Sequence, residues 1–121
     1  MKSNEEILAE LQHFNGTEMY HKFSMLSQLV ITDGVKYLAN EAKSYWLLDL
    51  IASYQRKCQK DPMLKDFQIW TIKAENNKAT ITCERDTNDI ALTQKIPYTD
   101  FPLKELKLYC ENGVICLPQE R

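Results

Sequence analysis

Phe67-Gln68-Ile69-Trp70-Thr71-Ile72, a polar pair at Asn76-Asn77, and then Ala79-Thr80-Ile81-Thr82-Cys83 form the stretch that decides the fold. The first run is rich in β-branched and aromatic residues, which suit a pleated surface. The second alternates apolar and polar, the pattern of an antiparallel strand with one face buried and one in water. Asn76-Asn77 reads as the turn between them. Just upstream, Asp61-Pro62 ends a different pattern, because proline stops a helix from continuing. The period of the chain therefore changes here, from helical before residue 60 to strand-like after residue 66.

Toward the C-terminus the strand period persists. Asp86-Thr87-Asn88-Asp89 reads as a turn, Ile90 to Ile96 as a third strand, and Pro97 to Pro102 as a longer connection bracketed by prolines. Leu106 to Cys110 gives a fourth strand, Asn112-Gly113 a strong hairpin signal, and Val114 to Leu117 a fifth strand. Toward the N-terminus, Ser44 caps a helix running to about Gln59, with Trp46, Leu47, Leu50, Ile51 and Tyr54 at helical spacing. Thr32 or Asp33 caps another, running to about Ala42, with Val35, Leu38 and Ala39 facing inward. Leu29-Val30-Ile31 reads either as a short strand or as an extended lead-in to that helix. Ser3 or Asn4 caps a first helix with Ile7, Leu8 and Leu11 on one stripe, closed by Asn15-Gly16-Thr17. Helices followed by a meander predict an α+β fold, with N-terminal helices packed on one face of a C-terminal antiparallel β-meander of four to five strands. Residues 1–121 read as a single domain, with a mainly helical half at 1–60 and a sheet half at 66–118.

The charge balance, 15 basic against 17 acidic residues, argues against a domain that holds nucleic acid by bulk positive charge. Basic residues do gather at Arg56, Lys57, Lys60, Lys65 and Lys73, diluted by Asp61 and Asp66; the plain reading of such a run is a solvated face. The opening Met1-Lys2-Ser3-Asn4-Glu5-Glu6 lacks the apolar region of a secretory signal. No apolar run approaches the roughly 20 residues that span a bilayer. The expectation is a cytoplasmic protein, with no membrane contact and with its four cysteines as free thiols.

No catalytic pattern emerges. The only histidines are His13 and His21, and no Cys-x-x-Cys pair accompanies them, so no metal site is expected. Cys58 lacks a predictable base, while Cys83, Cys110 and Cys116 lie in strands as small hydrophobes. Asp33 is accounted for as a helix cap, and Asp49 as a solvent-facing or locally bonded residue. Gly16, Gly34 and Gly113 are isolated, so no phosphate-cradling loop exists. Tyr45, Trp46, Tyr54, Trp70 and Tyr98 would stack on bases, or anchor a protein interface, wherever they are exposed.

The strings Asn15-Gly16-Thr17-Glu18, Thr32-Asp33-Gly34-Val35-Lys36-Tyr37-Leu38, Tyr45-Trp46-Leu47-Leu48-Asp49 and Ile51-Ala52 resemble a family of small uncharacterised bacterial proteins found in phages, plasmids and other mobile elements. Phe67-Gln68-Ile69-Trp70, Tyr98-Thr99-Asp100-Phe101-Pro102-Leu103 and Val114-Ile115-Cys116-Leu117-Pro118 extend the resemblance over nearly the whole chain. The Arg56 to Lys65 connection departs from it, being longer and more charged. The resemblance supplies no catalytic residues. It implies a mobile-element accessory protein and points to an anti-CRISPR inhibitor of a type VI, RNA-targeting system. The expectation is a non-enzymatic interaction protein, without cofactor, that binds an RNA-guided CRISPR effector nuclease and disturbs its guide or target RNA. Its candidate partner surface is Arg56, Lys57, Lys60, Lys65 and Lys73 with Tyr54 and Trp70. The alternatives are a direct nucleic-acid-binding accessory protein and a small-molecule sequestering protein. The last hairpin is the candidate exposed edge for pairing with a second copy.

Overall fold

Turn chemistry sets the sheet. The structure, a computed structural model, describes residues 3–24, 27–86 and 88–121. Strands β3 (Phe67–Glu75) and β4 (Lys78–Asp86) are joined at Asn76 and Asn77, whose φ values of 54° and 60° are those a type I′ turn requires and asparagine tolerates. Strands β6 (Glu105–Glu111) and β7 (Val114–Cys116) are joined in the same way at Asn112 and Gly113, with φ of 52° and 81°. Strand β5 (Asp89–Ile96) follows β4 in antiparallel pairing, with register shifts that leave Arg85 and Ala91 unpaired. Of the connection expected at Asp86 to Asp89, Thr87 lies outside the described residues, as do Met1, Lys2, Met25 and Leu26 elsewhere in the chain.

The sheet is larger and less regular than a meander. It has seven strands in the order β1-β2-β7-β6-β3-β4-β5 and is mixed, which corrects the expected antiparallel sheet of four to five. The additions are β1 (His21–Lys22) and β2 (Val30–Ile31). β2 runs parallel to β7, held by Val30 N–H donating to the Gly113 carbonyl at 3.0 Å and Thr32 N–H to the Ile115 carbonyl at 3.2 Å. β2 takes the short-strand alternative for Leu29-Val30-Ile31, but two-residue strands carry too few positions to show a period, and a parallel partner far along the chain leaves no local trace. The last hairpin is consequently interior to the sheet, and the long free edge is β5.

The helices follow from caps and breaks. Helix α1 (Asn4–Leu11) starts where the Ser3 hydroxyl accepts the Glu6 N–H at 3.2 Å, and it buries Ile7 and Leu11 while Leu8 stays exposed. Helix α2 (Asp33–Glu41) is capped by Thr32 and buries Val35, Leu38 and Ala39. It closes at Lys43, φ 51°, beyond which Ser44 N–H reaches back to the Ala39 carbonyl at 3.0 Å. That six-residue closure is a Schellman motif. Ser44 thus serves the end of α2, and its side chain makes no cap bond to the next helix. The long helix expected from Ser44 is two, α3 (Tyr45–Ser53) and α4 (Gln55–Cys58). The Ser53 hydroxyl donates to the Leu50 carbonyl at 2.6 Å and so competes for the acceptor that helix continuation needs; Tyr54 N–H turns to Ile51 instead, at 3.3 Å.

The inner faces of α1 to α3 meet Trp70 and Ile72 of β3, Ile81 and Cys83 of β4, Leu106, Leu108 and Cys110 of β6 and Ile115 of β7 in one core. The helices lie against these positions, and the opposite sheet face is left open. Among the described residues no helix is long and apolar enough to cross a membrane.

Candidate functional site

The structure separates the residues that the sequence grouped. Tyr54 and Trp70 do meet, with ring centroids 6.0 Å apart, but as core: Trp70 is 3% exposed and donates its indole N–H to Gln68 Oε1 at 2.8 Å, while the Tyr54 hydroxyl donates to Gln94 Oε1. Arg56 and Lys57 are exposed on α4, and Lys60 and Lys65 on the connection that follows it. Lys73 alternates with Trp70 and Ile72 along β3, so it stands on the open face of the sheet, away from them.

That open face carries a pattern of its own. Register places Lys107, Thr71, Thr82 and Thr93 side by side across β6, β3, β4 and β5. Two residues along the strands, the next row reads Glu105, Lys73, Thr80 and Lys95. On the other side lie Tyr109, Ile69, Glu84 and Ile90. Thr71, Lys73, Thr80, Thr82, Lys104 and Lys107 help to line a groove of about 1260 Å³ over this surface. Lys73, Lys78, Lys95, Lys104 and Lys107 have no ion-pair partner among the described residues, although Glu75, Glu84 and Glu105 share the face. At the β7 side the face is covered, where the Arg121 guanidinium sits 4.6 Å from the Phe67 ring centroid and donates to Glu111 at 2.9 Å.

Thr71 is the anomaly within the groove. It is 5% exposed, and its hydroxyl is the one buried side-chain polar atom without a hydrogen-bond partner among the described residues. Such atoms are rare, because the desolvated group forfeits its bonds to water. Sequence reasoning missed this face because Thr71, Thr80, Thr82 and Thr93 look like ordinary strand formers one at a time. Only the register between strands sets them in rows.

The Thr32-Asp33-Gly34 string proves to be an architectural joint. Glu120, in a 3-10 turn at Pro118–Glu120, accepts the Gly34 N–H at 3.0 Å, the Leu117 N–H at 3.1 Å and the Thr32 hydroxyl. A carboxylate at a helix N-terminus is favoured by the free N–H groups there. Gly34 permits this approach: a Cβ at that position would stand 2.6 Å from Leu117 Cδ1 and 2.8 Å from Glu120 Oε1. Asp33 turns the other way, with Oδ1 2.7 Å from His21 Nε2 and Oδ2 accepting the Glu18 N–H at 3.0 Å. His21 first, and then the Glu18 amide, hold the Asp33 carboxyl below its ordinary value. Asp61 is held down likewise, chiefly by Arg85, whose Nε lies 2.7 Å away.

All four cysteines are buried free thiols. Burial pushes Cys110 up to about 12 and Cys116 up to about 11, and the neighbouring Cys58 together with burial pushes Cys83 up as well. Cys83, Cys110 and Cys116 are therefore neutral near pH 7 and lack the thiolate that nucleophilic chemistry needs. Among the described residues no group of three or more His, Cys, Asp and Glu side chains is placed to hold a metal ion.

No curated protein and no solved structure matches the chain. A protein family of unknown function (DUF6876) matches residues 5–121, covering the helices, every strand of the sheet and the Glu120 joint. The chain belongs to that family.

Proposed function

We propose that this protein is a non-enzymatic binding protein whose open sheet face receives a single-stranded nucleic acid. The observation that carries the reading is the groove with lysines unpaired among the described residues along a hydroxyl row, over a buried Thr71 hydroxyl that none of those residues satisfies. A polar face on an antiparallel sheet requires no ligand by itself, since water solvates it. Thr71 differs in that its hydroxyl is buried within this face with no hydrogen-bond partner among the described residues. The overall charge of −2 fits a local patch rather than binding by bulk charge. A finer reading makes the nucleic acid the guide or target RNA of a type VI effector nuclease, with this protein as the inhibitor. Its support is the resemblance of the Thr32 to Leu38 and Tyr45 to Asp49 strings to mobile-element proteins.

Fluorescence anisotropy with labelled oligouridine, over a range of salt, tests the reading. Engagement of Lys73, Lys95 and Lys107 with phosphates gives log K falling against log[salt] with a slope of about −2. Salt-independent binding, or none, would overturn it. Pull-down of effector nucleases with and without RNase tests the finer reading: retention of a type VI effector that RNase abolishes supports it, and failure to retain any effector removes it.

A further inference from the structure

We propose that Thr71 and Thr82, with Lys107 and Lys73, form the subsite for one phosphodiester group, and that the adjoining row, at Ile69 and Ile90, receives the attached base. The inference rests on the proposed function and assigns its central contact.

Register supplies the first support. Thr71 lies directly opposite Thr82 on β4 and Lys107 on β6, and side chains so placed have Cβ atoms about 4.5–5.5 Å apart. Two hydroxyls and a lysine thus stand side by side in one row, with Thr71 between Thr82 and Lys107. Lys73, two residues from Thr71, brings a second cation from the adjacent row.

Chemistry supplies the second. Thr71 lacks a hydrogen-bond partner among the described residues, and a ligand oxygen accepting its O–H would complete it. The group must offer several acceptor oxygens and a negative charge. A carboxylate is a planar acceptor best matched by the arginine fork, whereas lysines act as point charges around a phosphate. The nearby arginines are engaged elsewhere, Arg85 with Asp61 and Asp89, and Arg121 with Glu111. The third support is Ile69 and Ile90, either side of Glu84 in the row beside the subsite, about 7 Å away at two residues along a strand. Ile90 is 55% exposed there, an apolar contact for an unpaired base rather than for a duplex, whose bases are stacked inside. Hydroxyls and lysines read no base edge, so binding is independent of sequence.

The test measures binding of labelled oligouridine and oligothymidine, with melting temperature, for the wild type, Thr71→Val, the Lys73→Glu/Lys107→Glu double variant, and Lys36→Glu on the exposed side of α2 as control. Valine matches threonine in shape and removes only the orphan hydroxyl. The expected result for Thr71→Val is a melting temperature raised by about 3–6 °C together with an affinity lowered by about tenfold. The double variant loses binding, and Lys36→Glu behaves as wild type. If Thr71→Val melts higher yet binds as wild type while the double variant still loses affinity, the subsite is wrong and the open-face reading stands. If neither nucleic acid binds the wild type, or the double variant binds as well as the wild type, the open-face reading falls and the subsite with it. Equal affinity for the two oligomers supports a phosphodiester subsite; binding of oligouridine alone would overturn it, making the 2′-hydroxyl the determinant.

Discussion

Gln68 shows how much one buried side chain can organise. Its amide nitrogen donates to Gln55 Oε1 at 2.9 Å and to the Leu64 carbonyl at 3.0 Å. Its amide oxygen accepts from Gln55 at 2.9 Å and from the Trp70 indole at 2.8 Å. One residue of β3 therefore ties α4, the connection after it and the core tryptophan together. Leucine would fit the volume but strand the Trp70 N–H and half of the Gln55 amide, and leaving buried polar groups unpaired costs about 1–3 kcal/mol each. We expect Gln68→Leu to lower the unfolding free energy by about 3 kcal/mol in urea titration; a change below the error of the titration would mean that the amide pair is already broken in solution. Thr71 is the opposite case, a side chain whose bonding the fold leaves undone. Neither was legible in the sequence, where glutamine and threonine in a strand carry no sign of which partner they will meet.

At the scale of elements, local chemistry was readable wherever the chain carries its own instruction. Asn76-Asn77 and Asn112-Gly113 announced their hairpins, Thr32 or Asp33 a cap that the structure gives to Thr32, and Phe67 to Cys83 its strands. What stayed hidden depends on competition or on distance. The break at Tyr54 arises because the Ser53 hydroxyl outcompetes a backbone amide for the Leu50 carbonyl, inside a run whose spacing is wholly helical. The β2–β7 pairing joins segments that share no local pattern. Lys73 was legible as a basic residue but not as belonging to a different surface from Arg56, Lys57, Lys60 and Lys65, because the face of a strand residue depends on which side the helices cover. The end of α2 offers a direct test of element chemistry. Lys43 adopts φ 51° at a position glycine occupies without steric cost, and its exposed side chain makes no hydrogen bond or ion pair with the described residues. Lys43→Gly is expected to stabilise the protein by about 0.5–1 kcal/mol, read as a higher denaturation midpoint at unchanged slope. A lower midpoint would show that the Schellman closure does not persist in solution.

For the whole molecule, the titratable groups bound a pH range of stability. Asp33 and Asp61 have folded values below the ordinary 3.8, so the stability they contribute is complete above that pH and is lost as the pH falls from it toward the folded values. Cys110 and Cys116 have folded values above the ordinary 9.0, so theirs is complete below pH 9 and is lost as the pH rises toward 11 to 12. Melting temperature against pH is therefore expected to be flat across neutrality and to fall on both sides, and Asp33→Asn with Asp61→Asn should flatten the acid limb alone. An unchanged acid limb in that double variant would remove both carboxylates from the account. The same global view gives the β2–β7 seam and the Glu120 joint a meaning in time. Helix α2 leaves the ribosome early, but the strand beside its lead-in and the carboxylate that caps it are translated only near residues 114–120. At ordinary elongation rates that is a wait of roughly 4–16 s, during which Val35, Leu38 and Ala39 have no sheet to lie against. The apolar face of α2 thus stays uncovered until the distant residues that cover and cap it have been made, a delay that a helix packed only on its sequence neighbours does not face.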